Sequence, residues 1–166
     1  MVLATVDPAG VPSARAVLLK GLDERGLVFY TSYESRKGRE IAANPAVALV
    51  FTWLALHRQV RIEGTAVRVT DAEADAYFAT RPTGARIGSA ASSQSAVIPD
   101  RAWLDARVAE LAVHHPDGAV PRPGTWGGFR VVPGTVELWQ GRPNRLHDRI
   151  RYRRAGDGWL RERLAP

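Results

Sequence analysis

Short apolar runs bounded by Gly, Asp and Pro turns constrain the fold of this chain more than any other feature of its sequence. In the first half, Leu3–Val6, Ala14–Lys20 and Leu27–Thr31 have the length and flanking residues of hairpin strands, and Ala46–Trp53 and Gln59–Val69 follow. Apolar and polar residues alternate along Gln59–Val69, which is typical of a strand with one buried face. The first half therefore predicts a sheet built from hairpins.

The end of the chain returns to the same pattern. Phe129–Val132 and Thr135–Gln140 flank Pro133-Gly134, which predicts two strands with a turn between them. Arg149–Arg153 alternates, and a glycine-containing turn leads from it into Trp159–Leu164. We expect these segments to complete the sheet.

Helix signals are confined to the middle of the chain and to one short segment before it. Ser35 is placed to cap a helix over residues 36–43. Thr70, with Glu73 three residues later, forms a capping-box pattern for a helix to about Thr80, and Pro99 opens a longer helix to about His114. Regular alternation of strand and helix is missing, so a doubly wound sheet is excluded. The pattern predicts an α+β, mainly β fold of barrel type, with one domain over residues 1–166.

Composition narrows the possible functions. The chain has no cysteine, which excludes disulfides, thiolate metal sites and cysteine nucleophiles. No apolar run approaches the roughly 20 residues that cross a bilayer, and the N-terminal segment lacks the pattern of a signal peptide. We therefore expect a cytoplasmic protein without a membrane partner. His114 and His115 lack acidic residues at ligand spacing and are better explained as a helix end, so no metal site is expected.

The net charge of +6 favours an anionic partner, either a nucleic acid or a small molecule that carries phosphate. The basic excess is largely arginine, which suits bidentate contacts to phosphate. No basic tail or nucleic-acid motif accompanies the charge, so we expect no nucleic-acid partner.

Arg36 and Lys37 lie in the first turn of the predicted helix, directly after Ser35. A helix dipole favours acids there, so two cations at this point make physical sense if a phosphate binds the helix N-terminus. The alternative is a solvated first turn without function.

The segment 142–154 holds six arginines against one acid. Arg149, Arg151 and Arg153 share one side of a strand, which alone is most often a solvated face. Arg145, Leu146, His147 and Asp148 precede that strand in a predicted loop, where binding residues are more common.

Taken together, these pieces resemble the pyridoxamine 5′-phosphate oxidase family in order and spacing over essentially the whole chain. The matching segments are Arg15–Lys20, Val28–Thr31, Ser35–Lys37, Arg58–Val60, Tyr77-Phe78, Arg81-Pro82, Gln94-Ser95, Trp126–Arg130, Glu137–Gly141, Arg145–Arg149 and Arg163–Pro166. The Arg-Leu-His-Asp-Arg stretch and the Arg-Leu-Ala-Pro end are the most specific of them.

The resemblance implies a split β-barrel that binds flavin mononucleotide (FMN) and works as a homodimer with the flavin between subunits. It implies oxidation of pyridoxamine or pyridoxine 5′-phosphate to pyridoxal 5′-phosphate, with O₂ as acceptor and H₂O₂ as product. Bound FMN carries the redox chemistry in such an enzyme, while the protein orients the two rings.

Site residues follow from the resemblance position by position. Those implied for the flavin are Arg15, Ala16, Val17, Leu18, Leu19, Lys20, Tyr30, Thr31, Arg36, Lys37, Gln59, Gln94, Ser95, Trp139 and Arg149. Those implied for the vitamin B6 phosphate are Lys20, Tyr77, Arg81 and the position of Ala85, with Arg145 and His147 against the substrate ring as the catalytic pair.

Two departures from the family pattern keep other functions open. Ala85 stands where the family carries a serine in its substrate-phosphate loop, and nearby Thr83 is a possible replacement for that hydroxyl. The sequence also starts at the first predicted strand, without the N-terminal extension of the family. The alternatives are an oxidase of the same fold that acts on another small ring, of the phenazine-pathway type, and a flavin-binding protein without turnover.

Overall fold

The computed structural model describes all 166 residues and contains nine strands and four α-helices. The strands are β1 (Val2–Val6), β2 (Pro12–Ala16), β3 (Gly21–Asp23), β4 (Gly26–Ser32), β5 (Ala46–Trp53), β6 (Arg58–Arg68), β7 (Trp126–Gln140), β8 (Asp148–Ala155) and β9 (Gly158–Arg163). The helices are α1 (Arg36–Ala43), α2 (Asp71–Ala79), α3 (Thr83–Ala91) and α4 (Arg101–His114). Short 3₁₀ turns cover Leu54–Leu56 and Pro143–Arg145. The predicted α+β, mainly β composition is confirmed.

The chain divides into two compact units. Unit 1 comprises Met1–Phe29, Glu40–Val67 and Arg130–Pro166 and contains most of the sheet. Unit 2 comprises Tyr30–Arg39 and Arg68–Phe129 and contains α2, α3 and α4 together with the first turn of α1.

The sheet has the strand order β2-β1-β5-β6-β7-β4-β3, with β8 paired to β7 and β9 paired to β8. In unit 1, β1 pairs with β5 so that Leu3 lies opposite Leu49, and both side chains are fully buried. The apolar positions that the sequence pattern selected on β6 also point inward, since Ile62 and Ala66 are buried. The core of unit 1 thus follows the period-2 pattern of the sequence.

Helix starts follow their sequence signals. The Ser35 hydroxyl accepts the backbone N–H of Gly38, three residues into α1, as an N-cap does. At α2, Thr70 and Glu73 form the reciprocal capping box that their spacing predicts. Helix α4 begins at Arg101, two residues after the predicted start at Pro99, and Asp100 caps it by accepting the N–H of Trp103 at 2.8 Å.

The predicted strand Ala14–Lys20 is wrong at both ends, because β2 covers Pro12–Ala16 and a separate strand β3 begins at Gly21. β2 lies at the edge of the sheet, and its partner β1 begins at Val2, directly opposite Ala16. Met1 and Val17 still exchange backbone hydrogen bonds at 3.2 and 2.9 Å, and Leu18 and Leu19 then lie outside the strand in spite of their apolar character.

Helix α3 was not predicted. Its sequence, Thr83–Ala91, includes two glycines and a serine, all poor helix formers. The helix forms because Ile87 and Ala91, four residues apart, are both buried on one face. Tertiary burial overrides weak local propensity here.

The expected break at Pro133-Gly134 is also wrong, because β7 runs without interruption from Trp126 to Gln140. Pairing with β8 begins at Thr135, two residues after Pro133. Proline cannot donate to a ladder and is tolerated where pairing changes. Pro133-Gly134 therefore marks the place where β8 begins to pair with β7, rather than a turn.

Gly64 of β6 lies against the backbone of β7 at this point. A Cβ atom at position 64 would be 2.2 Å from the carbonyl oxygen of Val132, a contact that only a backbone shift relieves. Gly134 has ordinary surroundings, since its nearest neighbour would be 3.7 Å away. The close approach of β6 and β7 thus depends on the missing side chain of Gly64.

We predict that Gly64→Ala lowers the free energy of unfolding by about 1–3 kcal/mol, the usual cost of overpacking. Gly134→Ala is the matched control and should change it by less than about 0.5 kcal/mol. Thermal and urea unfolding followed by circular dichroism measure both. Equal stabilities of the two variants would contradict the close approach.

Candidate functional site

A buried lysine organises the start of α1 in unit 2. Lys37 is 9% exposed, and its ammonium group donates to the hydroxyl of Thr31 at 3.1 Å and to that of Ser35 at 3.4 Å. Thr31 in turn donates to Oε1 of Gln94 at 2.9 Å, and the backbone N–H of Ser32 donates to the same oxygen. Because Oε1 accepts both bonds, the amide of Gln94 has a fixed orientation. Three predicted flavin residues, Thr31, Lys37 and Gln94, are therefore in contact.

Two more predicted residues meet at the same helix start. The backbone N–H of Arg36 donates to the hydroxyl of Ser95 at 3.2 Å. Ser95 adopts a left-handed backbone with φ of 71°, which costs a non-glycine residue energy and is concentrated at binding sites. The first turn of α1 contains no acidic residue. The arrangement combines two cations, two hydroxyls and a helix N-terminus, which is the chemistry that recognises a phosphate.

Tyr30, Tyr77 and Trp126 form an aromatic stack in unit 2. The rings of Tyr30 and Tyr77 are 4.0 Å apart, and those of Tyr30 and Trp126 are 5.4 Å apart, all nearly parallel. The hydroxyl of Tyr30 lies 3.4 Å from the carbonyl oxygen of Glu73 on α2. A predicted flavin residue and a predicted substrate residue thus belong to one rigid cluster.

The guanidinium of Arg81 lies over the ring of Trp126 at 4.7 Å. Burial lowers the pKa of Arg81 from its usual value, while Tyr77 acts in the opposite direction. The spacing of Tyr77 and Arg81 predicts a shared helix face, but α2 ends at Ala79 and Arg81 lies beyond it. Both side chains nevertheless contact Trp126. Ala85 lies in α3, half-buried.

In unit 1, three predicted flavin residues line one cavity of about 280 Å³. These are Gln59, Trp139 and Arg149, and the cavity is completed by Arg61, Glu137 and Pro166. Trp139 and Arg149 are directly opposite in the β7–β8 register. The structure therefore assembles in unit 1 a second group of the residues that the sequence singled out.

Glu137 was not assigned a role from the sequence, yet it holds Arg149 in place. Arg149 donates to both carboxylate oxygens of Glu137, at 2.7 and 3.1 Å, and donates a further bond to the carbonyl of Ala165 at 2.9 Å. Arg61 lies 3.6 Å from the same carboxylate. Hydrogen bonds from Arg149 hold the pKa of Glu137 below its usual value although burial opposes this, and nearby Arg61 acts in the same direction. Glu137 and Trp139 are two residues apart on β7 and therefore share a face of the strand. This spacing is the feature of the sequence that could have identified Glu137.

The predicted loop before β8 is confirmed, and it places Arg145 and His147 in unit 1. Nδ1 of His147 accepts the backbone N–H of Arg142 at 3.1 Å, and its ring lies 4.6 Å from that of Trp139. A neutral His147 therefore carries its proton on Nε2. Asn144 and Arg145 both have positive φ, 56° and 61°. The exposed guanidinium of Arg145 makes no hydrogen bond or ion pair within the chain.

In the segment 15–20, the side chain of Arg15 is bonded within unit 1, whereas most of the following residues are exposed. The guanidinium of Arg15 pairs with Glu40 at 3.1 Å and also donates to the hydroxyls of Thr5 and Ser13. Its side chain is thus occupied inside unit 1, which leaves the backbone for any ligand. Ala16, Leu18, Leu19 and Lys20 are exposed, and Val17 is half-buried.

None of the helices is both long and apolar enough to cross a membrane. No group of three or more His, Asp or Glu side chains is arranged to hold a metal ion.

Two family models match the chain and together cover most of it. The model described as pyridoxamine 5′-phosphate oxidase matches residues 1–115. The model described as the pyridoxine 5′-phosphate oxidase C-terminal dimerisation region matches residues 126–166.

Individual proteins are similar over the whole chain. Pyridoxine/pyridoxamine 5′-phosphate oxidases from Burkholderia thailandensis and Rubrobacter xylanophilus are 59% and 60% identical, over 100% of this chain and 78% and 76% of their own lengths. The crystal structure of PhzG from Burkholderia lata with tetrahydrophenazine-1-carboxylic acid has a TM-score of 0.94 at 35% identity, covering 99% of this chain and 81% of that one. An FMN-binding protein from Nostoc punctiforme, related to pyridoxamine 5′-phosphate oxidase, has a TM-score of 0.77 at 20% identity, covering 99% and 86%. These likenesses confirm the predicted split-barrel fold class.

We predict that Glu137→Gln lowers the free energy of unfolding at pH 7 by about 1–3 kcal/mol, because the bonds from Arg149 lose their charged partner. The folded-state pKa of Glu137 is lowered, so its carboxylate contributes stability above its usual pKa of 4.5 and loses that contribution as the pH falls below it. The deficit of the variant should therefore shrink between pH 7 and pH 4, as measured by thermal unfolding.

Glu63→Gln is the matched control. Glu63 lies on β6, its side chain is 58% exposed, and it contacts Arg61 at 3.4 Å. Its substitution should change stability by less than about 0.5 kcal/mol at either pH. A deficit for Glu137→Gln that is equal at pH 7 and pH 4 would contradict the role of its charge.

Proposed function

Because this chain belongs to the pyridoxamine 5′-phosphate oxidase family, we propose that it is an FMN-dependent oxidase of pyridoxamine and pyridoxine 5′-phosphate. The products are pyridoxal 5′-phosphate and, from O₂, hydrogen peroxide; the amine substrate also consumes water and releases ammonia when its imine is hydrolysed. Identity of 58–60% to oxidases of this name over the full chain supports the substrate class.

The observation that carries the proposal is the cluster at the start of α1. Lys37, Thr31 and Gln94 are joined by hydrogen bonds, and Ser95 contacts the backbone of Arg36. A phosphate ester with two negative charges suits the cations and the dipole of this helix start. We assign Arg36, Lys37 and Ser95 to the FMN phosphate, with Thr31 and Gln94 beside them.

Bound FMN supplies the acceptor for the hydride that the substrate loses. In unit 1, Trp139 and Gln59 present a flat ring and an amide to the flavin, and Glu137 fixes the direction of Arg149. Three of the five N–H groups of Arg149 are engaged with Glu137 and Ala165, so two remain to donate to a ligand. Tyr30 and the backbone of residues 15–20 complete the assignment.

The substrate assignment rests on two groups. Tyr77, Arg81 and Lys20 bind its phosphate, and Arg81 is already positioned over Trp126. Arg145 stacks on the pyridine ring and His147 donates to it from Nε2, the nitrogen that its bond to Arg142 leaves protonated.

We also propose that the protein works as a homodimer with FMN at the interface. The match of residues 126–166 to a dimerisation region supports this assembly. Unit 1 also exposes large apolar side chains along a groove of about 560 Å³, including Trp53, Leu56 and Leu138. Contiguous apolar surface of this kind is typical of subunit contacts.

The second candidate is oxidation of a phenazine precursor. The likeness to PhzG, with a TM-score of 0.94, favours it, as does Ala85 in place of a serine. The identity to PhzG is 35%, against 58–60% to the vitamin B6 oxidases, which favours the first candidate.

Turnover separates these functions. Purified protein with FMN is mixed in air with pyridoxine 5′-phosphate, pyridoxamine 5′-phosphate or a reduced phenazine carboxylate, and both peroxide and the aldehyde product are measured. The proposal expects aldehyde and peroxide in equal amounts from the B6 phosphates. Turnover of the phenazine compound alone supports the second candidate, and bound FMN without any turnover indicates a binding protein.

We predict that Arg145→Ala and His147→Ala retain FMN and the dimer but transfer hydride slowly. Transfer needs the reacting carbon about 3–3.5 Å from its acceptor, and a misplacement of about 1 Å costs on the order of a hundredfold. Stopped-flow absorbance of the flavin band under anaerobic pyridoxine 5′-phosphate measures the rate. Arg145→Lys should recover only part of it, since lysine keeps the charge and loses the plane.

If Arg145 and His147 are only exposed residues of a charged loop, the flavin will be reduced at the wild-type rate in all three variants. Arg154→Ala provides a control, because Arg154 is an exposed arginine at the far end of β8 that contacts Trp159. That variant should match the wild type.

A further inference from the structure

Arg81 is a half-buried cation to which the chain supplies no anion. Its guanidinium lies over Trp126 and near Phe78, at 4.7 and 5.4 Å from the ring centres. No carboxylate lies within ion-pair distance, although exposed arginines such as Arg101 and Arg107 have acidic partners. A partly desolvated guanidinium is favourable when it has aromatic contact and an anionic ligand. The surroundings of Arg81 therefore fit a ligand that brings its own negative charge.

One hydroxyl fixes this guanidinium. Nη1 of Arg81 donates to Oγ of Ser89 at 2.7 Å, across eight residues of sequence. Ser89 is half-buried on α3, and no acceptor within the chain takes its hydroxyl proton. A hydroxyl that accepts from the arginine keeps its own proton available for an anion at the same place.

Ser89 also lies on the face of α3 where the family's serine is missing. Ala85 and Ser89 are four residues apart, so their side chains are neighbours on one face of the helix. Thr83, the other hydroxyl of α3, accepts from Arg86 at 3.2 Å instead. Of these two hydroxyls, Ser89 is the one that contacts Arg81.

We propose that Ser89 is the positioning residue of the substrate-phosphate subsite, and that it does for Arg81 one helical turn later what a serine at position 85 would do. This inference rests on the proposed function and deepens it. It identifies a residue that, through Arg81, strengthens the preference for ring substrates with a 5′-phosphate over the same rings without one.

The bond to Ser89 limits the conformational freedom of the Arg81 side chain. An arginine side chain has several rotatable bonds, and ordering them on binding reduces affinity. Contact with Trp126 holds the central carbon of the guanidinium over the ring but leaves the group free to turn. The bond to Ser89 removes this freedom before the phosphate arrives, so the two N–H groups needed for a bidentate contact are already aimed.

Steady-state kinetics of the FMN-loaded enzyme test the proposal with two substrates, pyridoxine 5′-phosphate and pyridoxine. Ser89→Ala should raise KM for the phosphorylated substrate about tenfold, the effect of losing roughly one hydrogen bond to a charged group. Its kcat and FMN content should stay at the wild-type level, and kcat/KM for pyridoxine should not change. Inorganic phosphate should also inhibit the variant about tenfold less strongly than the wild type, as competition for the same subsite requires.

Rescue separates a positioning role from a general loss of packing. Ser89→Thr keeps the hydroxyl and should restore KM. Ala85→Ser added to Ser89→Ala should restore most of it, because it returns a hydroxyl to the same helix face one turn earlier. Thr83→Ala alone should leave KM unchanged.

Several results would overturn the inference. These are an unchanged KM in Ser89→Ala, an equal loss with both substrates, or a rise of KM in Thr83→Ala instead. If Ser89→Ala does not fold, the threonine variant and the double variant decide, and failure of both to show wild-type KM is also contradictory. A wild-type enzyme that turns over neither substrate refutes the proposed function itself, which is a different outcome from an active wild type with an indifferent Ser89.

Discussion

The buried ammonium group of Lys37 is the interaction on which the rest of the candidate site depends. Burial of a charge is unfavourable unless hydrogen bonds and an opposite charge offset it. The hydroxyls of Thr31 and Ser35 accept from it, and Thr31 passes the connection to Gln94, more than sixty residues later in the chain. One side chain thus links the end of β4, the start of α1 and the loop after α3. A phosphate at this helix start adds the negative charge that such an arrangement favours.

Aromatic contact organises the other ligand group of unit 2. Trp126 contacts Tyr30 and Tyr77 and lies under Arg81, so residues from β4, α2 and the chain just after α2 share one surface. Contact with Trp126 positions Arg81 without an acidic partner. In unit 1 an ion pair positions the arginine, because Glu137 accepts two hydrogen bonds from Arg149. Each unit therefore positions its arginine before any ligand binds.

Local signals in the sequence predicted local structure well. The caps Ser35 and Thr70 marked helix starts that the structure confirms, since a cap involves only three or four neighbouring residues. Predictions failed where distant strands or helices decided the outcome. Helix α3 forms because Ile87 and Ala91 are buried, and β7 passes Pro133 because pairing with β8 begins two residues later. Neither of these causes is visible within a short window of sequence.

The same division holds for the candidate site. The resemblance of the sequence to the family selected Lys37, Gln94, Trp139 and Arg149, and each of them lies in a cluster of selected residues. The sequence did not reveal that Glu40 occupies the side chain of Arg15, that Glu137 holds Arg149, or that Ser89 contacts Arg81. In each case the fold brings together two segments of the chain, and the pattern of residues in one segment does not show which residue of the other it contacts.

The central claim is that the start of α1 binds the phosphate of the cofactor. The most direct measurement compares the affinities of the flavin-free protein for FMN and for riboflavin, which differ only in that phosphate, by quenching of flavin fluorescence. The account predicts that riboflavin binds at least about a hundredfold more weakly, since two or more charge-assisted hydrogen bonds are lost. Affinities for FMN and riboflavin that agree within about threefold, a difference of less than about 1 kcal/mol, would contradict it.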